Sequence, residues 1–309
     1  MEKISGIITK GLGGLYTVYS KEAENEYIEC RAKGAFRHES ISPLVGDRVL
    51  ISQDGGYSIC KICERKNELI RPAMANLDYM FIALSASYPA PNLCYIDKLT
   101  AICDTAGIEP VIIVTKTKEA PAFAKELFDI YKNSGFITFA IDKDDISSID
   151  TLRDFIKGSL KGKIAAFAGA SGVGKSTLLN SLFPSLYLKV GDLSEKISRG
   201  KHTTRHVELF SLDKLLYGSD ENVTYLADTP GFTMLDFLHY DFLTLDELPS
   251  AFREYRKYLG KCRYTDCTHT KEKECRIVCD SENGILQKSR HESYLSLYND
   301  LKNKHPWDK

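Results

Sequence analysis

The chain has 309 residues, with 41 Lys and Arg against 42 Asp and Glu and a net charge of −1, a balance that excludes a bulk polycation. With 43% hydrophobic and 27% charged residues, and no window near the roughly 20 apolar residues of a membrane span, a globular protein of one to three domains is expected, neither disordered nor membrane-inserted. The start, MEKISGIITKGLGGLY, never builds the apolar run of roughly 7 to 15 residues that a secretory signal needs, so a cytoplasmic location is expected. Nine Cys at uneven spacing suit free thiols or metal ligation better than a complete disulfide framework.

Alternating runs at residues 4–9, 15–19, 27–31, 48–51 and 57–62 are separated by Gly11, Gly13, Gly14 and Asp54-Gly55-Gly56. This period-two pattern predicts a small β-barrel over residues 1–70, with the five short strands of an OB-fold. On it Arg31, Lys33, Arg37, His38 and Arg48, with Phe36 and Tyr27, are candidates for phosphate and stacking contacts to RNA. A boundary is placed at Arg71-Pro72. Beyond it, the apolar runs 76–86 and 110–114 flank a helical stretch at 96–106, the alternation of a parallel sheet, and an α/β domain is expected over 71–236. Residues 237–309 form a third territory, mostly helical and Cys-rich. There Arg253, Arg256, Lys257, Lys261, Arg263, Lys271, Lys273 and Arg276 suit an RNA-facing module.

The strongest chemical signal is Gly169-x-x-x-x-Gly174-Lys175-Ser176, between the apolar run 164–168 and the helix-forming 177–182. That strand, loop, helix context is what a phosphate-binding loop requires. Gly169, Ala170, Ser171, Gly172, Val173, Gly174, Lys175, Ser176 and Thr177 are expected to cradle the phosphates. Lys175 reaches the β and γ groups, and the Ser176 hydroxyl ligates Mg²⁺. Downstream, residues 225–227 run into Asp228-Thr229-Pro230-Gly231, where Asp228 suits Mg²⁺ and the Gly231 N–H suits γ-phosphate sensing. Between them, GKHTTR offers Thr204, or else Thr203, to complete the Mg²⁺ shell. The set predicts a GTPase-like site.

The order of its parts is unusual. Ordinary GTPases carry the base-reading N-K-x-D after D-x-x-G, yet here the only comparable strand end, Thr115-Lys116-Thr117-Lys118, precedes the phosphate loop. The chain therefore reads as circularly permuted. Lys116 is retained, but Thr115 and Lys118 replace Asn and Asp. Lys118 cannot accept hydrogen bonds from guanine, and no clean Ser-Ala marks the second recognition loop near Ala140-Ile141-Asp142. Either purine selectivity is relaxed or backbone groups hold the base.

Cys262-x4-Cys267-x-His269-x5-Cys275 offers three thiolates and an imidazole, a closed tetrahedral set suited to structural Zn²⁺. Cys279 is expected to be a buried free thiol. Cys60-x-x-Cys63 lies in the last barrel strand, where residues three apart face opposite ways, and is not expected to bind metal.

Val45-Gly46-Asp47, Arg71-Pro72 with Ala75-Asn76, Ile96-Asp97-Lys98, the phosphate loop, GKHTTRHVEL, DTPGF and the cysteine cluster occur in an order that resembles the circularly permuted, small-ribosomal-subunit-dependent GTPase family of bacteria. The resemblance covers nearly the whole chain. It implies a slow GTPase stimulated by the small ribosomal subunit, with GTP/GDP, the subunit and its rRNA as partners, acting late in subunit maturation; a monomer is expected. An RNA-binding NTPase with relaxed purine selectivity, or with a binding-only role, is the alternative. Movement of residues 231–240 with the γ-phosphate would couple the nucleotide to the zinc module.

Phe232 occupies the place of the water-orienting Gln of Ras-like enzymes, so either hydrolysis is intrinsically slow or a residue from another element is brought in. His202 beside Thr204 is the candidate, and the resemblance points to the same position, with Lys175 and Thr204 completing the catalytic set. His202→Ala is expected to leave nucleotide affinity intact and remove subunit-stimulated hydrolysis, measured as steady-state phosphate release; undiminished stimulated turnover would exclude the assignment.

Overall fold

The structure is a computed structural model that describes residues 3–32, 36, 41–53, 56–70, 73–184, 207–218, 224–228 and 243–303. In chain order the strands are β1 (Lys3–Leu12), β2 (Leu15–Tyr19), β3 (Tyr27–Ala32), β4 (Arg48–Gln53), β5 (Tyr57–Ile62), β6 (Glu68–Ile70), β7 (Ala73–Ala75), β8 (Tyr79–Ser85), β9 (Glu109–Thr115), β10 (Ile137–Ile141), β11 (Ile164–Ala168), β12 (Glu208–Ser211) and β13 (Tyr225–Asp228). The helices are α1 (Leu93–Ala106), α2 (Pro121–Asn133), α3 (Ile146–Ser159), α4 (Lys175–Leu182), α5 (Asp213–Tyr217), α6 (Leu248–Ala251), α7 (Arg276–Glu282) and α8 (Lys288–Lys302). The described residues fall into two units, one from Met1–Tyr79, Asp154–Phe167 and Phe183–Phe232, the other from Met80–Arg153, Ala168–Leu182 and Thr233–Lys309.

In the first unit β1 to β5 close into the expected barrel. The order is β1-β2-β3-β5-β4, β4 returns antiparallel to β1, and β3 and β5 run parallel, which is the OB arrangement. Alternation drives closure: along β3, Ile28 and Cys30 are buried while Tyr27, Glu29 and Arg31 are exposed. Tyr27, Arg31 and Arg48 thus stay accessible, whereas Lys33, Arg37 and His38 lie outside the described residues. The loop before β4 is fixed by Asp47, whose buried carboxylate accepts from the Leu44 N–H at 2.7 Å and from Arg65 at 2.7 and 2.8 Å. Next to it, Gly46 has φ 92°, and a Cβ there would meet the Ala75 carbonyl oxygen at 2.1 Å. Only glycine lets the two chain segments touch, and Asn76 seals the contact by donating to the Gly46 carbonyl at 2.9 Å. In the same unit β11 pairs parallel with β13 and β12 pairs antiparallel with it, while Lys10 of β1 pairs with Glu208 of β12 at 2.9 Å.

The second unit contains β8, β9 and β10 side by side, with β9 and β10 parallel and in register from Val111–Ile137 to Thr115–Ile141. Asn92 caps α1 by accepting the Tyr95 N–H at 3.1 Å, and Gly107 ends the helix in the left-handed region. This helix buries Ile96, Leu99 and Ile102 together with two polar residues one turn apart, Asp97 and Thr100. Their partner is Arg290 on α8, 1% exposed, which donates to Asp97 at 2.8 Å, Thr100 at 3.0 Å and both carboxylate oxygens of Glu254 at 2.7 and 3.0 Å. The guanidinium also lies over the Phe252 and Phe136 rings at 4.7 and 5.0 Å.

Arg253, expected on a basic surface, is instead 15% exposed. It donates to Asp104 at 2.6 and 3.0 Å and to Glu109 at 3.0 Å, because its neighbours on α1 and β9 are acidic. Removing one partner of a buried ion network strands the others. Arg290→Met is accordingly expected to lower the unfolding free energy by about 3 to 5 kcal/mol in urea titration. A change below about 0.5 kcal/mol would place the mutation among those that touch no buried network.

Candidate nucleotide site and metal cluster

The buried strand β11 ends at Gly169, whose φ is 143° and where a Cβ would lie 2.4 Å from the Ala83 carbonyl oxygen. The phosphate-loop glycine is therefore a packing requirement as well as a turn. The chain turns through Gly172 and Gly174, and the first helical hydrogen bond, Leu178 N–H to the Gly174 carbonyl at 2.9 Å, starts α4. The opening N–H groups of a helix have no acceptor within it and, with the helix dipole, make an anion site. Lys175 folds over this loop, donating to the carbonyls of Gly169 and Ala170 at 2.5 and 2.8 Å, and partial burial lowers its pKa. Ser171, Ser176 and Thr177 are exposed, and Val173 is buried.

The strand end carrying Thr115 meets this loop. Thr115 is buried, and its hydroxyl reaches the Val173 carbonyl at 2.6 Å and the Leu84 carbonyl at 3.2 Å. Lys116 follows with φ 56° and donates to the Tyr88 carbonyl. A cavity of about 610 Å³ opens here, lined by Thr115, Lys116 and Lys118 from one loop, Ile141, Asp142 and Asp144 from the next, and Ser171, Gly172, Gly174, Lys175, Ser176 and Thr177. Most of the phosphate-loop candidates and all three base-loop candidates thus share one cavity, while Gly169, Ala170 and Val173 are not among its lining residues.

Asp142 is a buried acidic lining residue with no role expected from the sequence. Its signal was topological: Ile141 pairs with Thr115 in the parallel register, so residues 116 and 142 leave the sheet side by side. Asp228 closes β13, and only its backbone is described. Gly200 to Arg205, with His202, Thr203 and Thr204, and residues 229–242, with Gly231 and Phe232, lie outside the described residues, as do Arg71-Pro72.

Cys262, Cys267, His269 and Cys275 converge, with all four ligand atoms within 4.8 Å of one another. Cys262 Sγ lies 3.6 Å from His269 Nδ1 and 3.9 Å from Cys275 Sγ, and His269 Nδ1 lies 3.4 Å from Cys275 Sγ. A tetrahedron with metal–sulfur bonds near 2.3 Å has sulfur–sulfur edges of roughly 3.8 Å, close to the separations among Cys262, His269 and Cys275, so the set could hold one cation. Burial lowers the His269 pKa, favouring the neutral imidazole that a metal needs, and raises those of the crowded thiols Cys267 and Cys275. The loop is stitched by Glu272, which accepts from the N–H groups of Thr268, Thr270 and Lys271 at 2.8, 2.9 and 3.1 Å. Burial works to raise the Glu272 pKa, but these bonds and the Thr268 hydroxyl hold it down at about 2.

Cys279 is exposed, contrary to expectation. On α7 the buried positions are Ile277 and Ser281, one turn apart, and Cys279 between them faces the other side. Cys60 and Cys63 belong to no metal cluster among the described residues; Cys60 Sγ instead donates to the Leu50 carbonyl at 3.2 Å. Arg256, Lys257, Lys261, Arg263, Lys271, Lys273 and Arg276 are exposed, Arg256 being paired with Asp104 at 3.7 Å and Arg263 with Glu274 at 2.6 and 2.7 Å.

Residues 62–238 match the RsgA GTPase family and residues 5–57 the RsgA N-terminal domain family. A protein of Caldanaerobacter subterraneus subsp. tengcongensis named small ribosomal subunit biogenesis GTPase RsgA is 37% identical over 98% of this chain and 98% of its own. One of the same name from Geobacillus thermodenitrificans is 38% identical over 97% and 98%. The crystal structure of YloQ, described as a circularly permuted GTPase, is 29% identical, covers 99% of this chain and 97% of its own, and superposes with a TM-score of 0.75. Barrel, permuted site, metal cluster and near-full-length identity agree: the chain belongs to the RsgA family of circularly permuted GTPases.

Proposed function

We propose that this protein hydrolyses GTP on the small ribosomal subunit during its late maturation; the relatives it resembles over nearly its whole length are named small ribosomal subunit biogenesis GTPases. The observation that carries the reading is the single cavity joining the start of α4 to the loops after β9 and β10. Its dimensions suit a nucleotide, for pockets of about 300 to 1,000 Å³ hold ligands of that size. Phosphates would lie against the amides from Gly172 to Thr177 with Lys175 on the β and γ groups, and the base between the two strand-end loops. Ser176, Thr204 and Asp228 would hold Mg²⁺, which offsets phosphate charge. His202 would orient the attacking water, and Gly231 would sense the γ-phosphate.

Residues 1–70 would serve as the rRNA-binding barrel, 71–236 as the GTPase and 237–309 as a zinc module facing rRNA. The family matches at 5–57 and 62–238 support the first boundary, and the three-thiol, one-imidazole donor set supports zinc in preference to harder ions. A cytoplasmic monomer working on ribosomal particles completes the reading; no helix among the described residues is long and apolar enough to cross a membrane.

Steady-state phosphate release from GTP and from ATP, each with and without purified small subunits, tests the reading. GTP turnover is expected to rise at least about tenfold with subunits, which corresponds to 1.4 kcal/mol of added transition-state stabilisation; GTP turnover indifferent to subunits would overturn it. Metal analysis of the purified protein is expected to give one zinc per chain. Its removal by chelation is expected to lower the melting temperature of the C-terminal region, since structural zinc is folding free energy; a metal-free protein with an unchanged melting curve would exclude the assignment.

A further inference from the structure

Lys118 stands where the ordinary base-reading signature has its aspartate, and an ammonium group cannot accept the N1–H and 2-amino protons of guanine. A carboxylate is nevertheless present in the same cavity, on the neighbouring loop. The parallel register sets Ile141 beside Thr115, and Asp142 follows at once. Its side chain is 7% exposed and lines the cavity with Thr115, Lys116 and Lys118.

Two contacts hold that carboxylate in place. Oδ2 accepts the Lys118 backbone N–H at 3.0 Å and Oδ1 accepts the Asp144 N–H at 3.2 Å, while the Lys118 ammonium lies 4.0 Å from Oδ1. A carboxylate offers about four acceptor positions, so roughly two remain for a ligand. Burial works against ionisation, but the N–H groups of Lys118 and Asp144 and the charges of Lys118 and Lys143 outweigh it and lower the pKa. The other carboxylates lining the cavity, Glu119 and Asp144, are solvent-exposed.

We propose that Asp142 is the specificity-determining residue for the base: its carboxylate accepts guanine N1–H and the 2-amino group, and Lys118 is the positioning residue that orients it. The acid stands on the neighbouring loop instead of at position 118, Lys116 keeps its place, and the recognition chemistry is kept. Adenine offers no N1–H and no 2-amino group, so it gains nothing from this carboxylate. The inference deepens the proposed function and rests on the cavity's being a GTP site.

Equilibrium binding of GDP, ADP and xanthosine diphosphate to the full chain tests it, with each variant's thermal melt recorded. The unaltered protein is expected to prefer GDP to ADP. Asp142→Asn is expected to weaken GDP by about ten- to a hundredfold, the worth of one hydrogen bond to a charged group. The same change is expected to strengthen xanthosine diphosphate, because an amide N–H donates to the 2-carbonyl of xanthine. A loop merely loosened by the substitution would weaken both nucleotides alike, and that result would overturn the assignment. Adding Lys118→Asp to Asp142→Asn, which returns the acid to the ordinary loop, is expected to restore GDP. Tight GDP binding with an unchanged GDP-to-xanthosine-diphosphate ratio in Asp142→Asn would refute Asp142 while leaving the GTP site intact. Failure of the unaltered protein to bind any guanine nucleotide would overturn both readings together.

Discussion

Thr115 Oγ1 lies 2.6 Å from the Val173 carbonyl and 3.2 Å from that of Leu84, and this buried hydroxyl fixes the spacing on which the nucleotide cavity depends. Val173 belongs to the phosphate loop and Thr115 to the end of β9, 58 residues earlier. One short side chain therefore ties the loop from Gly169 to Ser176 to the end of β9. A buried hydroxyl left without an acceptor carries a desolvation cost, so the contact holds both loops in a single arrangement. Asn, usual at this position, would reach further from the strand; Thr makes the tie with a shorter arm and leaves base reading to the residues that follow.

A second constraint operates in the same unit. Arg290 brings α1, the turn at Glu254 and α8 to a common point, at full burial of the charges involved. Ion networks of this kind add little net stability over an apolar core, but removing one partner strands the others. Here the network joins the helix that precedes β9 to the segments flanking the metal cluster. Tyr294, one turn after Arg290, donates to the Thr268 carbonyl at 2.7 Å within the metal loop. Side chains on one face of α8 thus reach both the α1 helix and the cysteine loop.

Much of this was legible in the sequence, for physical reasons that differ by element. The barrel strands were readable because one face is buried and the other wet, which writes a period of two into residues such as those of β3. The phosphate loop was readable because close backbone approach admits only glycine, as at Gly169. The metal ligands were readable because four donors on a short loop must be spaced to converge. Asp142 was not readable, since its role depends on two parallel strands ending level, and nothing local marks that. Arg253 and Cys279 misled for a related reason: a charge or thiol count says nothing about which side of a helix or turn faces the core. Arg290 lay in an ordinary amphipathic run, and its burial follows from Asp97 and Glu254, distant in the chain.

On the proposed reading, one cavity, held by Thr115, receives phosphate on the α4 side and base on the side of Lys118 and Asp142. A crystal structure of the chain with GDP and Mg²⁺ tests this most directly. The expected result places the diphosphate on the amides of Gly172 to Thr177 and the guanine between Lys116 and Asp142, with the Asp142 carboxylate within about 3 Å of N1. Guanine turned away from residues 141–144, or phosphate bound elsewhere than the start of α4, would contradict the account.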